Sequence, residues 1–278
     1  MIRLNKMIHV RGIDIHVEIN GDEYLPVIVF LHGFTGSTAT WSTVSSSLGN
    51  KFRTVAIDLL GHGDSAVPEH ASRYSMEEQV QDLEQTFKEL GLTHFTLIGY
   101  SMGGRVALGY TVNYPQRVLQ LVLESSSPGL QTKEEQTVRR ESDSRLAARI
   151  REEGLHSFVD FWEELALFQS QKTLPETTRR AIRKERLQQS VTGLSNSLIG
   201  IGTGSQPSYW NRVETVLHPV LLITGELDMK FKNIAREMKQ HFPIVRHITV
   251  ENAGHAIHVE KPHLFATMVE EHILSWKK

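Results

Sequence analysis

The sequence predicts an α/β fold, a mostly parallel sheet flanked by helices, with a helical block inserted between two of its strands. Three observations predict it. Apolar runs too continuous for one-sided strands recur at 27–31, 54–59, 95–98, 119–123, 220–224 and 246–250, and helical patterns separate most of them. One of these runs ends in Gly99-Tyr100-Ser101-Met102-Gly103 and passes straight into a helix-compatible stretch, 105–110. From about 131 to 206 the strand pattern stops and charged helical stretches take its place.

Taken in order, the chain opens with period-two alternation. Ile8 and Val10 precede Gly12, and Ile13, Ile15, Val17 and Ile19 follow it, which reads as an antiparallel hairpin. Residues 77–90 place Val80, Leu83, Phe87 and Leu90 at helical spacing, with Gly91 as a stop. After Pro128-Gly129, helices are expected at 133–153, 155–168 and 175–189, then a polar, glycine-containing segment to 205. Strand order resumes at Val220. The expected organisation is a core of 1–129 and 207–278 with a cap of 130–206. Open α/β sheets bind ligands beyond the C-terminal ends of their strands, so a cap over that edge would carry specificity and the core reactivity.

Composition narrows the function classes. The chain has 278 residues, enough for one sizeable domain with an insertion. A net charge of −2 implies no strong field for nucleic acid or anionic membrane. The absence of cysteine excludes disulfides and thiolate metal sites and suits a reducing cytoplasm. No apolar run approaches the ~18 residues of a membrane span. The opening Met1-Ile2-Arg3-Leu4-Asn5-Lys6 lacks the apolar centre of a signal peptide. With no HExxH and scattered histidines, no metal is expected, and without GxxxxGK[ST] no nucleotide.

The chemistry is concentrated at three places. Gly99 and Gly103 flank a turn too tight for Cβ atoms, which forces the Ser101 hydroxyl out of a strained backbone. The loop Leu31-His32-Gly33-Phe34-Thr35-Gly36 closes an earlier strand. Its Phe34 amide and the Met102 amide that opens the helix after Ser101 are candidates for an oxyanion hole. Asp228 ends the run Leu221-Leu222-Ile223-Thr224-Gly225-Glu226-Leu227, and His255 follows the strand-like Ile248-Thr249-Val250 in Ala253-Gly254-His255. The chain order Ser101, Asp228, His255 is that of the α/β-hydrolases. Among the other 13 of 14 histidines, His62 reads as structural, His32 as ordering the oxyanion loop and His258 as a satisfied surface residue. Asp58 and Asp64 precede the serine, the wrong order for the acid.

Arg105 lies four residues after Ser101, on the same helix face and in a first turn whose dipole disfavours cations. Either it meets an anionic group of the substrate, or it is an ordinary surface or carboxylate-paired arginine; both readings stand on physical grounds alone. Phe161 and Trp162, mid-cap, read on physical grounds as cap core rather than as ligand contacts.

Together these residues resemble the 2-succinyl-6-hydroxy-2,4-cyclohexadiene-1-carboxylate synthases of menaquinone biosynthesis, through nearly the whole chain. The resemblance is carried by Gly99-Tyr100-Ser101-Met102-Gly103-Gly104-Arg105, Ser127-Pro128-Gly129-Leu130, Gln206-Pro207-Ser208 and Asp228-Met229-Lys230-Phe231, besides the loops already quoted. It implies a carbon–oxygen lyase that eliminates pyruvate from 2-succinyl-5-enolpyruvyl-6-hydroxy-3-cyclohexene-1-carboxylate, with the triad as base and no cofactor. It also implies substrate contacts from Tyr100, Arg105, Arg139, Trp162 and Arg186. Charged helices align with one-turn slips, so Arg140 is the alternative to Arg139 and Arg183 to Arg186. The partner would be an anionic small molecule. An ester or carbon–carbon hydrolase acting on an anionic metabolite is the alternative activity.

Overall fold

A computed structural model describes residues 3–276. Met1 and Ile2 of the opening segment, and Lys277 and Lys278 at the other limit of the expected core, lie outside the described residues. β1 (Arg3–Val10) and β2 (Ile13–Asn20) form the expected hairpin, turning at Arg11 and Gly12, both of positive φ. β3 (Val27–Leu31), β4 (Arg53–Ile57), β5 (Phe95–Tyr100), β6 (Val118–Glu124), β7 (Val220–Gly225) and β8 (Val245–Val250) complete one sheet, ordered β1-β2-β4-β3-β5-β6-β7-β8. From β4 to β8 every pairing is parallel.

The alternation of side chains sorts the strands onto two faces. Val29, Leu31, Leu97, Leu121 and Leu123 pack with α2 (Met76–Glu89) and α3 (Met102–Asn113). Ile28, Phe30, Ile98, Val122 and Leu221 pack on the other side with α1 (Ser42–Leu48) and the helix Pro262–Ser275. Burial on both faces is why these strands read as unbroken apolar runs, each large side chain contributing about 1.5–3 kcal/mol. Successive strands run one way from β3 to β4 and the other way from β4 to β5. The loops after β3 and β5 therefore lie at the point where strand order reverses, where such sheets hold ligands.

Between β6 and β7 lie α4 (Lys133–Glu163), α5 (Glu176–Leu187) and α6 (Val191–Ile201), with no strand among the described residues. α4 starts on a capping box, Thr132 with Glu135, and breaks at Gly154, whose φ is 78°. A 3₁₀ turn, Ala166–Thr173, follows it. Ala147, Ile150, Phe158 and Val159 of α4 and Leu194 and Leu198 of α6 form a separate apolar cluster. Most of the polar, glycine-containing segment, to which the sequence assigned no element of its own, is helix α6, capped by Ser190. Its small residues serve close packing: a Cβ on Gly193 would lie 2.0 Å from the Gly61 carbonyl oxygen. Tertiary contact here overrides the low helix propensity of glycine and serine.

Candidate active site

Ser101 sits between β5 and α3 with φ 51° and ψ −106°, a region that costs energy for a residue with a side chain. Tight packing of the following helix holds it there: a Cβ on Gly103 would lie 2.3 Å from the Leu31 carbonyl oxygen. The Ser101 amide donates to the Glu124 carbonyl (2.8 Å), and the Ser126 hydroxyl donates to the Ser101 carbonyl (3.1 Å). The hydroxyl that projects from this frame is 3.0 Å from His255 Nε2, and His255 Nδ1 is 2.6 Å from Asp228 Oδ2. Asp228 caps α7 (Met229–His241), its Oδ1 accepting from the Phe231 amide at 3.2 Å. That cap fixes the carboxylate while leaving Oδ2 for the imidazole. Phe231 and Tyr100 close around the His255 ring, which is 1% exposed.

Met102 is the first residue of α3, so its amide has no acceptor within the helix. The loop carrying Phe34 is pressed against the serine, with Gly33 over the Tyr100 ring and near Ser101 Cβ. His32 orders that loop. Its Nε2 accepts from the Leu59 amide (3.0 Å), which leaves Nδ1 to donate to the Gly33 carbonyl (2.8 Å). Burial holds this imidazole below its ordinary pKa.

Above Ser101 lies a cavity of about 480 Å³ whose walls include Phe34, Tyr100, Arg105, Arg139, Trp162 and Lys230. Arg105 is 9% exposed, and its Nη1 donates to the Ile201 carbonyl (2.7 Å) and to Gln206 Oε1. It has no ion-pair partner among the described residues. Burial, then repulsion from Arg139, lowers its pKa to about 10 against the pull of Asp143, so it stays cationic near neutrality. Arg139 contacts Asp143 Oδ1 through Nε alone (2.8 Å), which leaves its terminal fork free. Its neighbour Arg140 turns away to the Gly204 carbonyl and Thr137. Burial raises the Tyr100 phenol well above its ordinary range. The Trp162 indole packs edge-on to Phe34, ring centroids 5.4 Å apart, and its Nε1 is buried without a hydrogen-bond partner among the described residues.

The family model described as "alpha/beta hydrolase fold" matches residues 26–262. A putative 2-succinyl-6-hydroxy-2,4-cyclohexadiene-1-carboxylate synthase of Bacillus subtilis (strain 168) is 46% identical over 264 residues, 95% of this chain and 96% of that one. The synthase of that name from Enterobacter sp. (strain 638) is 33% identical over 87% of this chain and 89% of its own. The chain belongs to this synthase family. Among solved structures, MenH from S. aureus superposes with a TM-score of 0.88 at 34% identity, covering 93% of this chain and 98% of that one.

Within the synthase fold, three residues stand differently from their sequence reading. Arg186 is buried but does not line the serine cavity. It bonds Glu163 Oε1 (3.2 Å) and Gln171 Oε1 (3.0 Å), lies over the Phe168 ring and faces a neighbouring groove of about 430 Å³. Phe168 lines both spaces, so a single ring borders the serine cavity on one side and Arg186 on the other. Arg183 pairs with Asp160 and Glu163, on the groove side. His258 is no surface residue: it is 1% exposed and held by Glu124, which sequence reasoning passed over. The third is Lys230, quoted above only as part of a motif. It lines the cavity, and burial with Arg139 repulsion lowers its pKa. Its position two residues after the acid was the available signal.

Among the described residues one grouping has metal-ligand geometry, His16, Asp58 and Asp64. Both Asp58 oxygens are already engaged, Oδ1 by the Thr38 amide and Oδ2 by His16 and the Asp64 amide, which makes Asp58 a hub that fixes loops. No helix is long and apolar enough to cross a membrane.

Proposed function

We propose that this synthase eliminates pyruvate from 2-succinyl-5-enolpyruvyl-6-hydroxy-3-cyclohexene-1-carboxylate with Ser101, His255 and Asp228 as its proton-transfer relay. The carbon bearing the succinyl group is acidic because it lies next to a ketone. As the Ser101 oxygen takes that proton, its own passes to His255 Nε2, 3.0 Å away, and Asp228 stabilises the imidazolium. The electron pair moves into the ketone and through the ring double bond. The carbon–oxygen bond to the enolpyruvyl group then breaks, leaving a 2,4-diene and the enolate of pyruvate, which takes up a proton. No acyl-serine forms and no water is consumed. The Phe34 and Met102 amides would face the enolate oxygen, where one such donor is worth about 10²–10³ in rate.

The observation that carries this reading is the buried, carboxylate-free Arg105 one turn from the serine, with Arg139 and Lys230 on the same cavity. A hydrolase of neutral esters has no use for desolvated cations there, whereas a substrate with several carboxylates supplies the missing partners. Tyr100 and Trp162 would complete its walls. In this reading residues 130–206 act as the cap of a core made of 1–129 and 207–278. We place the reaction in the cytoplasm, because a multiply charged acid does not cross a bilayer unaided. The test is incubation with the enolpyruvyl substrate and a coupled dehydrogenase assay for pyruvate. Release well above the spontaneous rate is expected; release at that rate, or an accumulating acyl-serine, would replace the lyase reading with the hydrolase one.

A further inference from the structure

Two carboxylate–imidazole pairs stand at the C-terminal ends of neighbouring strands. Asp228, after β7, holds His255. Glu124, the last residue of β6, holds His258: Oε1 accepts from the His258 amide at 3.0 Å, and Oε2 is 2.9 Å from Nδ1. His258 Nε2 is 2.9 Å from Thr40 Oγ1, the Trp41 ring stacks on the imidazole at 4.3 Å, and the Tyr100 ring lies 4.6 Å from it. Both side chains of the second pair are 0% exposed, so this pair meets no substrate. Its acid nevertheless reaches both halves of the first relay. The Glu124 carbonyl holds the Ser101 amide at 2.8 Å, while its carboxylate holds the backbone three residues after His255. On the far side of His255, Glu260 Oε2 accepts from the Gly254 amide at 2.8 Å.

We infer that Glu124 and His258 are positioning residues that set the contact between Ser101 and His255. The serine turn is strained and the histidine lies in a loop, so neither position is fixed by regular structure alone. A single residue bonded to both removes their relative freedom. A misplacement of about 1 Å between reacting groups costs roughly 10²-fold in rate, which is the scale such a tie protects. The inference rests on the proposed roles of Ser101 and His255.

The test uses two readouts: kcat and KM for pyruvate release, and the rate at which an organophosphonate inactivates the enzyme at Ser101. Glu124→Gln keeps one acceptor oxygen but replaces the other with a donor. It is expected to lower kcat and the phosphonylation rate together, each about tenfold or more, with KM within about twofold. Thr40→Val removes only the partner of His258 Nε2 and should move both in the same direction by less. Unchanged phosphonylation in a folded Glu124→Gln protein overturns the inference, as does a loss carried by KM alone. If Glu124→Gln does not fold, Thr40→Val decides: slower phosphonylation with an unchanged melting temperature supports the tie, and an unchanged rate refutes it. If the unaltered enzyme releases no pyruvate, the functional reading fails, but the phosphonylation series still tests the positioning.

Discussion

The sheet edge and the helical segment above it hold their polar side chains by different means. At the edge, Ser101, Asp228 and His255 are anchored through backbone amides: the Ser101 amide on the Glu124 carbonyl, the Phe231 amide on Asp228, and the Gly254 and His258 amides on Glu260 and Glu124. In the helical segment, Arg139 and Arg186 are set by other side chains, Asp143 for one and Glu163, Gln171 and Phe168 for the other. Backbone constraints leave one position for a group. A side-chain tether leaves more room, above all at Arg139, whose side chain is 40% exposed, since an exposed ion pair is worth about 0–1 kcal/mol. With the roles proposed above, reactivity would belong to the rigid half and substrate fit to the adjustable half.

The largest effects should come from the edge. Ser101→Ala is expected to cut pyruvate release about 10³-fold or more with an unchanged melting temperature, because removing the hydroxyl leaves the surrounding backbone bonds in place. Full activity in that variant would remove the serine from the chemistry. Arg105 joins the two regions, since it stands on α3, which starts directly after Ser101, and bonds Ile201 and Gln206. Arg105→Ala should lower kcat/KM about 10²-fold, and Arg105→Lys should recover part of that by restoring charge without the planar fork. Equal losses in both variants would mean that the fork matters and the charge does not.

The same contrast explains what was legible in the sequence. Ser101 and Asp228 could be read because each comes after a strand whose apolar run is unmistakable; His255 was legible from its place after Asp228 and in the loop following the last strand, since β8 itself carries Arg246, His247 and Thr249. Strand order and the hairpin could be read for the same reason. Helix α6 could not, because Gly193 and Gly200 lower helix propensity and the packing against Gly61 and Tyr74 that compensates is made between distant segments. His258 was misread because Glu124, its partner, lies 134 residues away. Phe168, which comes between Arg186 and the serine cavity, is visible only once the 3₁₀ turn Ala166–Thr173 is placed.

Adjacent residues on α4 give a direct test of the adjustable half. Arg139 faces the cavity and Arg140 the Gly204 carbonyl, so Arg139→Ala should raise KM about tenfold while Arg140→Ala stays within about twofold. A reversed ranking would show that α4 turns when substrate binds. Lys230→Ala, which removes a cavity cation on α7, should raise KM less than Arg139→Ala does, because an ammonium makes no paired bond to a carboxylate.

The smallest effect is a matter of pH, and it sets Asp58, after β4, against Glu185 of α5, which are held by the neighbouring residues Thr38 and Ser37. The Thr38 amide donates to Asp58 Oδ1 (2.5 Å), whereas the Ser37 amide and hydroxyl donate to Glu185 Oε1 (2.7 Å each). Burial pushes Asp58 up, but the His16 hydrogen bond and the amides outweigh it and hold the carboxyl below its ordinary range; His16 is raised in turn, chiefly by that bond. Burial wins at Glu185 and raises it despite Ser37. The Asp58 contribution is present above its unfolded pKa of 3.8 and is lost as pH falls through the lower folded value. The His16 contribution is complete below 6.5 and is lost as pH rises through its raised folded value. Glu185 has the opposite sign to Asp58. The unfolded chain gives up its proton first, so stability falls as pH rises from 4.5 through the folded value. Thermal melts of Asp58→Asn and Glu185→Gln between pH 5 and 8 separate the two. Asp58→Asn should melt lower than the unaltered protein throughout, with the gap narrowing above pH 6.5 as His16 loses its proton. Glu185→Gln keeps an acceptor for Ser37 without the buried charge, so its melting temperature should gain on that of the unaltered protein as pH rises. If Glu185→Gln instead loses stability as steeply as Asp58→Asn, the helical segment is anchored as rigidly as the sheet edge and the division between a fixed half and an adjustable half does not hold.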